Sequence, residues 1–273
     1  LNDANSIEAF MKSGMRLLIV GGGYIGLEAA ATARKFGVDV TLVEIEERIL
    51  KRVAAKETSD YIRSLHISNG VKIKEAIGLD KLEIVGEKVV SASLTDGSDV
   101  NVDFVIVGIG IIPNTELAES ANLKINNGIF INEKCQTSVS NIYAAGDCTS
   151  FKYKNTLVRL ENVGNAIDQA TTVAQNIMKQ NTSYIPKPWF WSDQYDLKLQ
   201  IAGLNTGYDE VVVRKGEGQQ VSHWYYKGAS LLAVDALNDP RCYMIGKRLI
   251  EANKSPSKNQ LRDENFNLKV LLK

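Results

Sequence analysis

Histidine is nearly absent from this chain: His66 and His223 are the only two. Two isolated imidazoles cannot build a His-rich metal site, and no metal is expected. Cysteine is scarce too. Cys135, Cys148 and Cys242 lie far apart with no C-x-x-C pair, which excludes a redox dithiol or a zinc knuckle and fits free thiols in a reducing compartment. Excess charge of either sign is missing, with 32 basic residues against 32 acidic ones, so no net field draws the molecule to nucleic acid or to a membrane surface. No apolar run approaches the roughly 20 residues of a membrane span, and the opening LNDANSIEAF carries no signal-peptide pattern. These absences lead us to expect a soluble, cytoplasmic protein, monomeric or homodimeric. What is present is ordinary globular material: 44% apolar residues and 21 glycines in 273 residues, enough for a substantial core and one or two domains by length alone.

Along the chain, residues 3–12 predict a short helix stopped at Gly14. RLLIV then gives a strand, fully apolar from Leu17 to Val20 and so buried on both faces. An Ala-rich helix from Tyr24 to Phe36 ends at Gly37, and VDVTLVE is a second strand closing on Glu44. A charged helix, 54–69, is followed by short apolar pieces with turn signals from 71 to 102, read as an antiparallel meander. A core strand at 103–107 breaks sharply in GIGIIPN, and 116–121 makes a helical turn or two. Residues 129–148 read as a strand pair whose last member is 142–145. In the helix at 165–179, Ala166, Ala170, Val173, Ala174 and Ile177 form a stripe that predicts core packing. Beyond Pro186 and Pro188 the texture turns to alternating strands, then a helix at 240–251 and a tail apolar enough to dock. Arg241, Lys247, Arg248, Lys254, Lys258 and Arg262, diluted by Glu251, Asp263 and Glu264, are either a solvated mixed surface or a docking face.

Chemistry enters at Gly21-Gly22-Gly23-Tyr24-Ile25-Gly26, which matches G-x-G-x-x-G on Gly21, Gly23 and Gly26 with Tyr24 and Ile25 between them. The first glycine makes the tight turn out of the strand, the second admits backbone to a pyrophosphate, and the third lets helix approach strand. Strand, helix and second strand stand in the required order. Amides at the helix start then face the diphosphate. Glu44, at the end of the second strand, accepts from the adenosine ribose hydroxyls and repels a 2′-phosphate, so NAD is favoured over NADP. Arg48 is near enough to meet a 2′-phosphate, to lie over the adenine, or to pair with Glu44 or Glu47. His66, on a charged helix, and His223, in an alternating strand, are poor proton-transfer groups. That points away from alcohol or hydroxy-acid oxidation.

The pieces VGGGYIGLEAAATARKFGVDVTLVE, VGIGIIPNTELA, IYAAGDC, RLENVGNAIDQA, PWFWSDQYDLKLQIAG and GKRLIEANKSP occur in this order. Together they resemble the NADH-dependent ferredoxin reductases, FAD flavoproteins that serve Rieske oxygenases and cytochromes P450. The resemblance implies an α/β fold of the two-dinucleotide-binding flavoprotein type. It comprises a Rossmann-like NAD domain (1–120 with its lead-in), part of an FAD domain (121–185) and a small α+β C-terminal domain with an antiparallel sheet (186–273). It implies FAD and NAD as cofactors, hydride transfer from NADH to FAD, and single-electron release to a ferredoxin-type iron–sulfur carrier. It places Glu28 near the nicotinamide amide and Gly110 and Pro113 in a loop beside the cofactors. Asp147 falls on the ribityl chain of FAD, Val163 and Gly164 at the flavin pyrimidine edge, and Trp191 by the isoalloxazine. Glu28 and Trp191 are thereby the candidate catalytic residues. Family members open with a further FAD-binding β-α-β unit carrying its own fingerprint, of which this chain has one copy. The expectation is that the chain alone holds FAD weakly and is inactive. An NADH oxidase or flavin reductase, and a non-catalytic NADH-responsive interaction module, stand as alternatives.

Overall fold

The computed structural model describes residues 2–154 and 156–272. Its first unit is built on β1 (Arg16–Val20), α2 (Tyr24–Lys35) and β2 (Asp39–Glu44), after a short lead-in helix α1 (Asn2–Glu8). The chain continues through α3 (Lys56–Ser68), β3 (Lys72–Glu75), a hairpin pair β4 (Leu79–Val85) and β5 (Lys88–Leu94), β6 (Asp99–Asn101) and β7 (Phe104–Val107). The four-stranded parallel sheet has the order β3-β2-β1-β7. Alternation sorts its side chains. Leu17 and Ile19 point with Val40 and Leu42 into a core shared with Leu27, Ala30, Ala33 and Ile62 of the two helices. Leu18 and Val43 point the other way, into a smaller core with Ala92, Leu94 and Val102. Helices therefore cover one face, and the antiparallel β4-β5-β6 sheet covers the other.

Four sequence expectations need correcting here. The first helix stops at Glu8 instead of running to residue 12, and Phe10 leaves it to stack on Phe104 at 5.4 Å. The segment KIKE is not part of the meander: it is β3, pairing in parallel with β2 from Thr41↔Lys72 to Glu44↔Glu75. As an edge strand it is polar and half-buried, so it lacks the apolar run that marks the central strands.

The second unit holds α4 (Glu116–Ser120), β8 (Ile129–Phe130), β9 (Thr149–Tyr153), β10 (Thr156–Val158) and α5 (Val163–Ile177). Residues 142–145 do not form the expected strand. Only an isolated bridge, Gln136↔Tyr143, falls there, and the regular pairing is β8 with β9 and β9 with β10. The fourth correction concerns α5. Its apolar stripe is only partly covered: Val173 packs on a core and Ala166 is half-buried, but Ala170, Ala174 and Ile177 are exposed, while Asn165, Gln169, Thr172 and Asn176 are buried. The polar face wins because it satisfies backbone that has no ladder of its own. Asn176 donates to the Lys134 carbonyl at 3.0 Å and the Thr182 carbonyl at 2.8 Å, and accepts from the Thr182 amide at 2.7 Å. Asn165 donates to the Leu160 carbonyl at 3.0 Å and accepts from the Tyr184 hydroxyl at 2.6 Å. Buried backbone left unpaired costs more than a methyl left wet.

The third unit is a five-stranded antiparallel sheet of order β11-β12-β15-β14-β13. Its strands are β11 (Trp189–Gln194), β12 (Leu197–Gly203), β13 (Glu210–Lys215), β14 (Val221–Lys227) and β15 (Ser230–Leu237). One face packs on α6 (Pro240–Glu251) through Trp224, Tyr226, Val234, Ile245 and Leu249. Leu197, Leu199, Ile201 and Leu237 join the core of the first unit instead, so the two units share one hydrophobic interior. The tail does dock. After α7 (Lys258–Arg262), capped by a Ser257–Gln260 capping box, Leu261 and Leu268 are buried against α6. Its cations are largely spent on local partners: Lys258 and Arg262 both pair with Glu210, and Lys247 pairs with Glu251 at 3.1 Å.

Arg214 of β13 holds that tail. It is buried and donates to main-chain carbonyls of the tail: Leu261 at 3.1 Å, Glu264 at 2.9 Å, Phe266 at 3.0 Å, and Asp263. A charged donor shared among carbonyls contributes roughly 2 kcal/mol. Arg214→Met is therefore expected to loosen residues 261–268 without unfolding the sheet. Amide exchange in that segment should accelerate at least tenfold, while exchange in β14 and β15 stays unchanged.

Candidate dinucleotide and flavin site

The fingerprint sits where β1 ends, beside the end of β7. Gly21 has φ +108°, and a Cβ there would lie 2.5 Å from the Gly108 carbonyl oxygen. A Cβ on Gly26 would lie 2.1 Å from the Gly21 carbonyl oxygen. Both contacts are backbone to backbone, so both positions demand glycine. Gly23 differs: nothing stands within 4 Å of its absent Cβ, and its φ of −78° and ψ of 179° suit any residue. The open space faces the first turn of α2, where amides lack intrahelical partners. Gly21 and Gly26 are thus fixed by close backbone approach, and Gly23 is not.

Glu44 is fixed by two amides, from Gly22 at 2.7 Å and Glu46 at 2.9 Å. The carboxylate is held beside the glycine turn. Gly22, a variable position of the motif, is thereby tied to Glu44, a link the sequence did not single out. Arg48 is not paired with Glu44 or Glu47. Its guanidinium donates to the Ser59 hydroxyl and to the Ala54 carbonyl at 2.9 Å, so it braces the 49–55 loop. Tyr24 opens α2 with its ring turned to the core; its hydroxyl is buried without a partner among the described residues, and burial pushes that phenol up. The ring also lines a cavity of about 440 Å³ with Phe190, Leu204 and Asp235. Ile25 points outward, 69% exposed.

Glu28, one turn further along α2, accepts from the Ser192 hydroxyl of β11 at 2.6 Å. Ser192 accepts from Gln194 Nε2 at 2.9 Å, and Gln194 Oε1 meets His66 Nε2 at 2.8 Å. His66 is fully buried against β11, not turned to the meander, and burial lowers its pKa from the ordinary 6.5. On the opposite face of β11, Trp191 is 47% exposed and stacks on Trp189 at 5.3 Å. Trp189 in turn closes on α5: a Cβ on Gly164 would lie 2.5 Å from Trp189 Nε1, and Asn162 donates to the Trp189 carbonyl at 2.8 Å. The α5 start is capped by Asn162, which accepts the Asn165 amide at 2.6 Å. Val163, 56% exposed, and Gly164 therefore sit at a capped helix start that Trp189 packs on, with Trp191 stacked on the outer side of that indole pair.

The remaining expected positions lie on loops. Gly110 has φ +120° in open space, and Pro113 is half-buried in an extended segment whose Ile109, Ile111 and Ile112 are 64%, 52% and 90% exposed. Asp147 is exposed at a turn set by Gly146, with φ +89°. That turn is held by Gln169 Oε1, which accepts from the Gly146 amide at 2.7 Å and the Thr149 hydroxyl at 2.9 Å. Gln169 Nε2 is buried without a partner among the described residues. An exposed carboxylate on a rigid turn, a helix start and a flat indole fit a flavin dinucleotide: an acceptor for hydroxyls, amides for an electron-rich edge, and a surface for a ring. Among the described residues no cluster suits a metal ion and no helix is long and apolar enough to cross a membrane.

Sequence reasoning missed Gln169, Trp189, Ser192 and Gln194. A visible signal existed for the last two. Strand alternation puts 190, 192 and 194 on the face opposite the tryptophans, and two polar residues there demand partners.

Residues 1–170 match the family model of pyridine nucleotide-disulphide oxidoreductases, and residues 189–272 match that of the reductase C-terminal region. The chain is 37% identical over 273 residues to rhodocoxin reductase of Rhodococcus erythropolis, covering 99% of this chain and 64% of that protein. It is 40% identical over 277 residues to putidaredoxin reductase CamA of Pseudomonas putida, covering 100% and 66%. The crystal structure of the covalent putidaredoxin reductase–putidaredoxin complex superposes with a TM-score of 0.95 at 39% identity, over 100% of this chain and 66% of that one. The ferredoxin reductase for the CYP199A2 system of Rhodopseudomonas palustris gives 0.95 at 34% identity, over 100% and 68%. The chain thus spans about two thirds of the length of these relatives. Its fold is that of the two-dinucleotide-binding flavoproteins, and the chain belongs to the pyridine nucleotide-disulphide oxidoreductase family.

Proposed function

We propose that the full-length protein is an NADH-dependent ferredoxin reductase. The observation that carries this reading is the open amide turn at Gly23 with a fixed Glu44 beside it, joined through Glu28 and β11 to the α5 start and Trp191. FAD, when bound, supplies hydride acceptance from NADH and one-electron release to an iron–sulfur ferredoxin. The protein's own residues bind and align. Amides at the start of α2 take the pyrophosphate, and Glu44 takes the adenosine ribose. Asp147, the Val163 and Gly164 amides and Trp191 hold the flavin. Glu28 faces the nicotinamide, with Gly110 and Pro113 in the adjoining loop. The three-part division at 120 and 185 belongs to the same reading, as does a cytoplasmic setting.

Two measurements test it. In this chain, NADH should shift the backbone amide signals of residues 21–26. The full-length polypeptide, mixed anaerobically with NADH, should lose oxidised-flavin absorbance and then reduce a ferredoxin in preference to oxygen. Flavin that stays oxidised defeats the proposal. Glu44→Gln supplies a third check. It removes the charge that repels a 2′-phosphate and presents an amide to the Gly22 donor. The ratio of NADH to NADPH affinity should drop by about tenfold, and an unchanged ratio removes Glu44 from the site.

A further inference from the structure

The hydrogen bonds behind Glu28 run in one direction, and with His66 neutral, as its burial favours, one set of proton positions is consistent with all of them. Glu28 Oε1 accepts, so the Ser192 hydroxyl, 2.6 Å away, must donate. Ser192 Oγ is then free to accept, and takes the Gln194 Nε2 proton at 2.9 Å. With its NH2 group so used, Gln194 offers Oε1 to His66, which must carry its proton on Nε2 at 2.8 Å. That leaves His66 Nδ1 as an acceptor, and the Tyr195 hydroxyl lies 3.4 Å from it. Ser192 is 1% exposed, and Gln194 and His66 are fully buried. Buried polar groups are tolerated when a network satisfies them, and such networks fix orientation. This one starts on α3, crosses β11 and ends on a single carboxylate oxygen of the fingerprint helix. None of its members is needed to close the sheet, whose ladder is made by backbone.

Glu28 and Glu44 are also held from different elements, Glu28 from β11 and Glu44 from the glycine turn. Glu44 ends β2, one strand across from β1, whereas Glu28 is tied to β11, the strand that flanks the α5 start. A dinucleotide laid across the end of β1 puts its ADP half at Glu44 and its other half on the opposite side of the pyrophosphate.

We infer that Ser192 and Gln194, backed by His66, are positioning residues: they set the orientation of the Glu28 carboxylate, so that the nicotinamide half of the dinucleotide, and not the ADP half, depends on them. The inference rests on the dinucleotide reading above. It assigns to the Ser-x-Gln of β11 a role distinct from packing, and it separates the two faces of that strand: indoles on one, the orientation of Glu28 on the other. Groups held by a second layer of hydrogen bonds gain precision that a lone side chain on a helix surface lacks.

The test uses this chain with two ligands, NADH and ADP-ribose, which lacks the nicotinamide ring. Binding is followed by calorimetry and, for NADH, by the fluorescence of the dihydronicotinamide. Ser192→Ala should weaken NADH about five- to tenfold and leave ADP-ribose within twofold of wild type. Ser192→Thr, which keeps the hydroxyl, should restore NADH to within twofold. Glu28→Gln should weaken NADH similarly, and adding Ser192→Ala to it should cost nothing further, because the two act through one carboxylate. Equal weakening of both ligands by Ser192→Ala makes the serine merely structural and overturns the inference. So does wild-type NADH affinity in that variant. A wild-type chain that binds neither ligand sinks the dinucleotide reading itself, and this inference with it.

Discussion

Gly23→Ala is expected to leave the fold intact and abolish most dinucleotide binding, while Gly26→Ala should damage the fold before binding is ever tested. The two residues sit three positions apart in one motif, so the contrast isolates cause. At Gly23 the backbone is extended, and an added methyl meets nothing within 4 Å. Only the modest preference of a helix N-cap for glycine over alanine is lost, under about 1 kcal/mol. The methyl nevertheless occupies the space through which phosphate oxygens must come to within about 3 Å of the α2 amides. NADH affinity should fall at least tenfold with the melting temperature nearly unchanged. At Gly26 the methyl would lie 2.1 Å from the Gly21 carbonyl oxygen. Neither partner is a flexible side chain, so α2 must lift from β1 and open the core that Leu27 and Ala30 share with Ile19. Overpacking with backbone displacement costs about 3 kcal/mol, a large share of a typical domain's stability. Denaturation and NADH titration on both variants check this. Wild-type NADH binding by Gly23→Ala, or wild-type melting of Gly26→Ala, contradicts the division of labour.

How much of this was legible in the residues follows from which forces leave a local signature. The β1-α2-β2 unit was readable because burial, turn and helix each write a pattern: an apolar run, a glycine triplet, an alanine-rich helix stopped by Gly37. Strand β3 was not, because an edge strand with Lys72 exposed and Lys74 paired to Asp96 and Ser98 has no apolar run to show. The buried face of α5 was misread for a deeper reason. Hydrophobic periodicity assumes that apolar surface decides which face is covered. Here Asn165, Gln169 and Asn176 decide it: Gln169 and Asn176 serve loop backbone 23 and 42 residues away, Asn165 serves the Leu160 carbonyl just before the helix, and no apolar pattern carries that need. The candidate site divides the same way. The glycines, Glu44 and Trp191 were found as motif members. Ser192, Gln194 and His66 act across 128 residues or more of separation. Only the four-residue spacing of Thr58, Ile62 and His66 hinted that α3 buries its histidine.

A second buried network supplies the other large effect, on stability as a function of pH. Thr58 of α3 donates to Asp235 of β15 at 2.7 Å, and the Tyr225 hydroxyl donates to the same carboxylate oxygen. Thr58 Oγ1 lies 2.7 Å from His223 Nδ1, which must therefore be the donor. Tyr225 in turn accepts the Ala55 amide at 3.0 Å. The cluster ties α3 to the C-terminal sheet in the dry interior. Burial raises Asp235 from the ordinary 3.8 to about 6, against the pull of its two hydroxyl donors. Burial lowers His223 from 6.5 to about 4. The signs oppose. For Asp235 the folded state keeps a proton that the unfolded chain has released, so its contribution is full below pH 3.8 and lost as pH rises through 6. For His223 the unfolded chain takes a proton that the folded state refuses, so its contribution is full above pH 6.5 and lost as pH falls through 4. Each is worth about 3 kcal/mol over its window, and between pH 4 and 6 the two nearly cancel. Single variants should expose them. Relative to wild type, His223→Asn should lose about 3 kcal/mol of stability between pH 4 and 6.5, and Asp235→Asn should gain about as much over the same range. The comparison with wild type matters, since His66 and the paired carboxylates Asp60 and Asp103 titrate alike in all three proteins. Urea denaturation across that range at constant ionic strength reads the slopes. Two variants that bend the curve in the same direction, or not at all, would show that Thr58 does not join an acid and a base of opposed burial.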